Sequence, residues 1–129
     1  MKKTICIIDD DQIYQLIIRK VVERTGKFDS ISFYKDGIEA FEDFKSPEKS
    51  LPEIILLDIN MPLMDGWQFL DNLIVQRPNF DQKTIIYIVT SSIANSDRDK
   101  AKSYKEVSGF LSKPLSVEKL KQIADKHRK

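Results

Sequence analysis

Apolar positions along this chain follow two alternating patterns. Short bursts that are apolar at nearly every residue are separated by longer stretches whose apolar residues recur three or four apart. The bursts at 4–8, 30–34, 53–57, 84–89 and 109–112 predict strands. Residues 5–8, 54–57 and 85–89 carry almost no polar side chain, as a strand covered on both faces requires, which points to a parallel sheet. The stretches predict helices over 12–25, 37–45, 66–76 and 96–105, with a last helix starting at Ser116 as N-cap. Their apolar stripes are Ile13, Leu16, Ile17 and Val21 in the first helix and Ile38, Phe41 and Phe44 in the second. The third carries Trp67, Leu70 and Leu73 or Ile74, and the last Val117, Leu120 and Ile123 or Ala124. The stretch 96–105 is polar and only weakly periodic. Asp36, followed three residues on by Glu39, reads as a capping box. Turn signals stand at Lys27, Ser46-Pro47, Asp65-Gly66, Arg77-Pro78-Asn79 and Lys113-Pro114.

Five strands alternating with five helices predict an α/β layer fold around a parallel sheet. A length of 129 residues fits one domain over 1–129 with no output module attached. Net charge is +1, and no basic stripe is interleaved with aromatics, so the pattern predicts neither nucleic-acid nor membrane binding. No segment approaches the roughly 20 apolar residues of a membrane span, so the expected location is cytoplasmic. Cys6 is the only cysteine, which excludes an internal disulfide; within its apolar run it reads as a small buried hydrophobe. Lys126 to Lys129 reads as a solvated tail, and His127 within it as a solvated side chain suited to a helix C-terminus.

In open parallel sheets, chemistry collects beyond the carboxyl ends of the strands. Those ends carry Asp9-Asp10-Asp11, Asp58, Thr90-Ser91 and Lys113-Pro114. If Asp9, Asp10 and Asp58 converge to about 5 Å, each pair repels by roughly 3 kcal/mol at an effective dielectric of 20. Lys113 alone cannot offset three carboxylates, so either one stays protonated or a divalent cation binds. Hard oxygen ligands without His or Cys favour Mg²⁺. The same set suits phosphoryl transfer, with a carboxylate attacking in line and positive charge around the equatorial oxygens. Asp58, alone at its strand end, is the natural nucleophile; Asp9 and Asp10 are the natural metal holders. Thr90 offers a hydroxyl to a phosphoryl oxygen, and Lys113 a second positive contact.

Ile8-Asp9-Asp10, the run Leu57-Asp58-Ile59-Asn60-Met61-Pro62-Leu63-Met64-Asp65-Gly66, then Val89-Thr90-Ser91 and Gly109-Phe110-Leu111-Ser112-Lys113-Pro114 resemble the two-component response-regulator receiver family, in its single-domain CheY-like type. The motifs span nearly the whole chain in family order. The resemblance implies a flavodoxin-like (βα)5 doubly wound fold with sheet order 2-1-3-4-5, in which the first and third strands lie about 4.8 Å apart. It implies Asp58 as phosphoacceptor and Mg²⁺ bound by Asp10 directly, by Asp9 mainly through water, by Asp58 and by the backbone carbonyl of Asn60. Thr90 and Lys113 would bind the phosphoryl group, Thr90 and Phe110 would act as the switch, and Lys113-Pro114 would be a cis peptide. Ser91 meets the family's demand for a small residue, while Asn60 and Ser92 bear on the lifetime of the acyl phosphate.

On this reading the chain is a signalling domain rather than an enzyme. A sensor histidine kinase or a histidine phosphotransfer protein donates the phosphoryl group. The face formed by the fourth helix, fifth strand and fifth helix then signals to a downstream protein, as a monomer or a weak phosphorylation-linked dimer. The rival reading is a small Mg²⁺-dependent phosphohydrolase similar to the haloacid dehalogenase superfamily, with Asp9 and Asp11 as its Asp-x-Asp pair. It leaves Asp58 and Met61-Pro62…Asp65-Gly66 unexplained. Taken singly, each signal has a plain structural reading: Asp11 as a helix cap, Asp58 as a turn residue, Thr90 as a β-former, Met61 and Met64 as loop packing. Their joint placement at four strand ends favours the receiver.

Overall fold

Three inner strands that are buried on both faces set the architecture. The computed structural model describes residues 3–91 and 95–127. In chain order they form β1 (Lys3–Ile8), α1 (Gln12–Thr25), β2 (Phe28–Tyr34), α2 (Gly37–Phe44), β3 (Ile54–Leu57), α3 (Gly66–Gln76), β4 (Ile85–Thr90), α4 (Asn95–Lys102), β5 (Val107–Ser112) and α5 (Val117–Lys126), with one 3₁₀ turn over Phe80–Gln82. The strands pair in parallel in the order β2-β1-β3-β4-β5. This is the flavodoxin-like order that the resemblance implies. β1, β3 and β4 are the inner strands, as their apolar runs predict, and β2 and β5 are the half-exposed edges.

Alternation along each strand divides the core into two layers. Cys6, Ile8, Ile55, Leu57, Ile86 and Ile88 face α2 and α3, where Phe44, Phe69, Leu70 and Leu73 cover them. Ile5, Ile7, Ile54, Leu56, Tyr87 and Val89 face the opposite way, under Ile18 and Val22 of α1 and Leu120 and Ile123 of α5. Burying each such side chain contributes on the order of 1.5–3 kcal/mol. Helix ends are closed locally. Asp11, Asp36, Asp65 and Ser116 each cap with their side chains, and Gly26 in the left-handed region (φ 65°) ends α1. The Asp36 box is half made, because the Glu39 carboxylate accepts from the Lys35 N–H instead of from Asp36. A complete box forms at Asp65 and Gln68. The long connection after α2 is tied down by Arg77, whose Nη1 donates to the carbonyls of Phe44, Ser46 and Lys49.

Four expectations need correction. The stripe Ile13, Leu16 and Ile17 of α1 does not face the sheet: these side chains are 73%, 66% and 52% exposed. The helix instead buries Ile18, Val22 and Thr25, with Tyr14 and Val21 half-buried beside them. The physical reason lies at the far end of each stripe. Continued down the helix, the first meets Lys20 and Arg24, whereas the second meets no charge. In α2, Ile38 is exposed and Ala40 takes its place in the core beside Phe44. Trp67 is buried and stacks on Tyr104 at 5.5 Å, which helps seat the polar α4. His127 is not solvated: its Nε2 lies 2.7 Å from the Tyr87 hydroxyl, and its carbonyl accepts from Lys3 Nζ. α4 ends at Lys102, three residues short of the expected boundary.

The orientation of α1 is directly testable by urea unfolding. Ile18→Ala is expected to cost about 2–4 kcal/mol through the cavity it leaves, and Ile17→Ala no more than about 0.5 kcal/mol. The reverse ranking would return α1 to the stripe read from the sequence.

Candidate functional site

Register brings the carboxylates together. Ile8 of β1 pairs with Leu57 of β3, so the next residues, Asp9 and Asp58, leave their strands side by side. The backbone fixes both: Asp58 N–H donates to the Ile8 carbonyl at 3.0 Å, and Asp9 N–H to the Tyr34 carbonyl at 3.1 Å. Gln15, unremarked in the sequence, locks the same corner, its Nε2 donating to the carbonyls of Asp9 and Tyr34. Gly66 presses against the other side of Asp58. A Cβ there would lie 2.7 Å from the Asp58 carbonyl oxygen, closer than packed atoms tolerate. Glycine at the start of α3 therefore lets the loop fold tightly behind Asp58. Close approach to backbone is a glycine signature that sequence can suggest only once the neighbour is known.

Asp9, Asp10 and Asp58 each offer a carboxylate oxygen within 4.8 Å of the others, Asp9 and Asp58 buried and Asp10 exposed. Lys113, one residue past β5, reaches Asp9 Oδ2 at 2.6 Å and Asp58 Oδ2 at 3.5 Å. Its backbone N–H donates to the Thr90 carbonyl at 3.0 Å, joining the ends of β4 and β5. The Lys113-Pro114 peptide is cis, as expected. Thr90 is buried, and Asn60 Nδ2 donates to its hydroxyl at 3.5 Å; the Asn60 backbone N–H donates to Asp58 Oδ1 at 3.3 Å. Phe110 stands apart, half-buried in β5 opposite Ile88, with the Arg98 guanidinium 5.5 Å from its ring centre. Ser91 is exposed at the rim, and Ser92 lies outside the described residues. Met61 is buried and Met64 half-buried against the core, so both pack the loop, and Leu63 between them is exposed.

The electrostatics follow from this crowding. Burial first, then the Asp9 charge, pushes the Asp58 carboxyl up to about 6, against the pull of Lys113. Burial raises Asp9 as well, opposed by its hydrogen bond to Lys113. Burial pulls the Lys113 ammonium down, but the Asp9 hydrogen bond and the two carboxylate charges outweigh it and hold the group above its ordinary value. The pocket is thus short of positive charge, with hard oxygen donors and no soft ligand in the described cluster. Such a donor set fits a hard dication.

A parallel five-stranded sheet with clustered acids, a hydroxyl and a lysine at its carboxyl edge defines a class of α/β domain with an acidic, oxygen-lined pocket. The comparisons with known proteins make that specific. The family model of the response regulator receiver domain matches residues 5–125, and the chain belongs to that family. It is 29% identical over 125 residues to a protein described as a probable methanogenesis regulatory protein, FilR2, of Methanothrix harundinacea, covering 94% of this chain and 78% of that one. It is 25% identical over 115 residues to the chemotaxis protein CheY of Halobacterium salinarum, covering 89% and 88%. Among solved structures, a two-component response regulator from Cytophaga hutchinsonii superposes with a TM-score of 0.84 at 29% identity, covering 98% of this chain and 97% of that one. Receiver domains are signalling domains that take phosphoryl groups from histidine kinases or phosphotransfer proteins and bind Mg²⁺ at an acidic pocket.

The raised Asp58 pKa has a stability consequence. Between the unfolded value near 3.8 and the folded value near 6, the folded state binds more protons than the unfolded one. Stability from this group is therefore present below about pH 4 and lost as pH rises through 6. In metal-free buffer, Asp58→Asn is expected to stabilise the protein by about 1–2 kcal/mol at pH 7.5, after discounting for solvent screening, and by little at pH 4. Urea unfolding with chelator across that range measures it; a pH-independent difference would contradict the assignment.

Proposed function

We propose that this chain is a phosphorylation-driven signalling switch in which Asp58 accepts a phosphoryl group from a histidine kinase or histidine phosphotransfer protein. The observation that carries this reading is the buried Asp9–Asp58 pair at matched strand ends, with Asp10 on the rim and Lys113 bridging at 2.6 and 3.5 Å. At neutral pH a carboxyl titrating near 6 is mostly ionised, so Asp58 is a competent nucleophile. Its oxygen attacks phosphorus, the P–N bond to the donor imidazole breaks, and the imidazole keeps the electron pair. Lys113 and the Thr90 hydroxyl face the oxygens that gain charge. Asp9, Asp10, Asp58 and the Asn60 carbonyl would hold Mg²⁺, which supplies charge neutralisation at the transferring oxygens.

The exposed apolar residues Ile13, Leu16 and Ile17 give the donor a place to sit. They lie on the first turns of α1, which begins directly after the acidic run and rims the pocket. Phosphorylation then shifts a population through Thr90 and Phe110, so that the face of α4, β5 and α5 is read by a downstream protein. The hydrolase reading is disfavoured by one feature. The Asp11 side chain caps α1 by accepting from the Tyr14 N–H at 3.0 Å and lies outside the acidic cluster, so the Asp-x-Asp pair is not assembled.

Incubation with acetyl phosphate and Mg²⁺, followed by intact mass measurement, is expected to give one phosphoryl adduct that Asp58→Ala abolishes. Absence of any adduct, or labelling at Asp9 with sustained phosphate release, would overturn the reading. Leu16→Asp with Ile17→Asp is expected to slow transfer from a phosphohistidine protein at least about tenfold, the worth of roughly 1.4 kcal/mol. The same pair should leave labelling by acetyl phosphate intact; equal loss with both donors would remove α1 as the docking face.

A further inference from the structure

Tyr14 is an aromatic residue set directly against Lys113. It stands in the first turn of α1, its backbone N–H capped by Asp11, whose own N–H donates to Asp9 Oδ1 at 2.9 Å. The Lys113 ammonium lies 4.3 Å from the centre of the Tyr14 ring, so the Asp9–Asp11 run, Tyr14 and Lys113 close a loop around the pocket. The Tyr14 hydroxyl is buried and, among the described residues, has no hydrogen-bond partner. An orphaned buried hydroxyl is a cost, which places the value of this residue in its ring.

From this geometry we propose that Tyr14 is a positioning residue for phosphoryl uptake: its aromatic face holds the Lys113 ammonium in place between Asp9 and Asp58. The inference rests on the phosphoacceptor reading above. The ammonium has two carboxylates within 2.6 and 3.5 Å and the electron-rich face of the ring within 4.3 Å of its centre, and each of the three attracts it. The ring attracts the cation without competing as a strong acceptor, so the ammonium keeps N–H donors for the Asp9 and Asp58 oxygens. It also keeps water from the far side of a cation whose side chain is only 12% exposed. Without the ring, solvent reaches that side and the 2.6 Å contact to Asp9 dominates. The longer 3.5 Å contact to Asp58, where phosphate arrives, is then lost first.

The test compares the whole protein with Tyr14→Phe, Tyr14→Leu, Tyr14→Met, Lys113→Ala and the double variant Tyr14→Leu/Lys113→Ala. Each is checked for folding by circular dichroism, and Met substitutes for Leu should Leu not fold. The rate of phosphoryl incorporation from acetyl phosphate is expected to fall about tenfold in Leu and Met and to stay within about twofold in Phe, the scale of one partly desolvated cation–π contact. In the Lys113→Ala background, Tyr14→Leu is expected to add less than about twofold, since coupling vanishes when the partner is gone. Calorimetric Mg²⁺ titration of unphosphorylated protein reads the same contact without turnover. Tyr14→Leu should change Mg²⁺ affinity in the otherwise wild-type protein and leave it unchanged in the Lys113→Ala background, because the ring reaches the carboxylates only through the ammonium. A wild-type rate in Leu and Met, an undiminished effect in the Lys113→Ala background, or a Phe variant as slow as Leu would each overturn the proposal. Failure of the wild-type protein to label at all would instead sink the phosphoacceptor reading.

Discussion

Two carboxylates forced into one buried corner are the constraint on which the rest of this molecule is arranged. Asp9 and Asp58 are only 2% and 6% exposed, and like charges at that separation in partial burial repel by several kcal/mol. Water cannot relieve them, and Lys113 relieves them only in part. The cost is met by the sheet. Parallel register at Ile8 and Leu57 brings the two backbones out together, and the flanking apolar layers make that register hard to slip. A one-residue shift would turn every inner side chain to the wrong face. The stability of the core therefore holds a strained electrostatic arrangement that would otherwise fly apart.

The two layers do not hold their helices equally. α1 and α5 pack on one face through Ile18, Val22, Leu120 and Ile123, and α2 and α3 on the other through Phe44, Phe69, Leu70 and Leu73. α4 carries almost no apolar surface: among its described side chains Ala101 is the buried one, and much of its attachment is the neighbouring Trp67–Tyr104 stack and the Lys100 and Arg98 contacts over aromatic rings. Contacts of that kind are worth about 0.5–2 kcal/mol each, against several for a buried leucine or phenylalanine. An element so lightly seated is the one that can be repacked at small cost. Its weakness in the sequence, where 96–105 shows little period, has the same physical origin as its loose seating in the fold.

What could be read from the chain before its structure follows the same logic. The inner strands were legible because burial on both faces leaves no room for polar residues, and strand ends then located Asp9, Asp58, Thr90 and Lys113 without any contact being known. The orientation of α1 was not legible, since its two stripes are similarly apolar over the first three turns and only Lys20 and Arg24 separate them. Gln15, Gly66 and Tyr14 were missed for another reason. Each acts through a partner distant in sequence: Gln15 on the Tyr34 carbonyl, Gly66 against Asp58, Tyr14 under Lys113. No local pattern announces such a role. His127 was misread as solvated because its partner, Tyr87, lies 40 residues away on an inner strand.

The acidic run at the end of β1 shows how little residue type alone decides. Asp9, Asp10 and Asp11 are chemically identical and consecutive, yet the backbone hands them three environments. Asp9 continues the strand and is drawn into the pocket by the Tyr34 carbonyl. Asp10 points to the exposed rim, where its carboxylate stays hydrated and near enough to share a cation. Asp11 turns the chain into α1, and its carboxylate accepts from the Tyr14 N–H in the first turn of the helix. A carboxylate that caps a helix N-terminus is held there by its hydrogen bond and by the helix's partial positive charge, so it is not free to turn into the metal site. The transition from strand to helix within three residues thus selects which acids can do chemistry. It keeps the adjacent pair Asp9 and Asp10 beside Asp58 and turns the alternate residue, Asp11, into a helix cap, a choice made by backbone geometry.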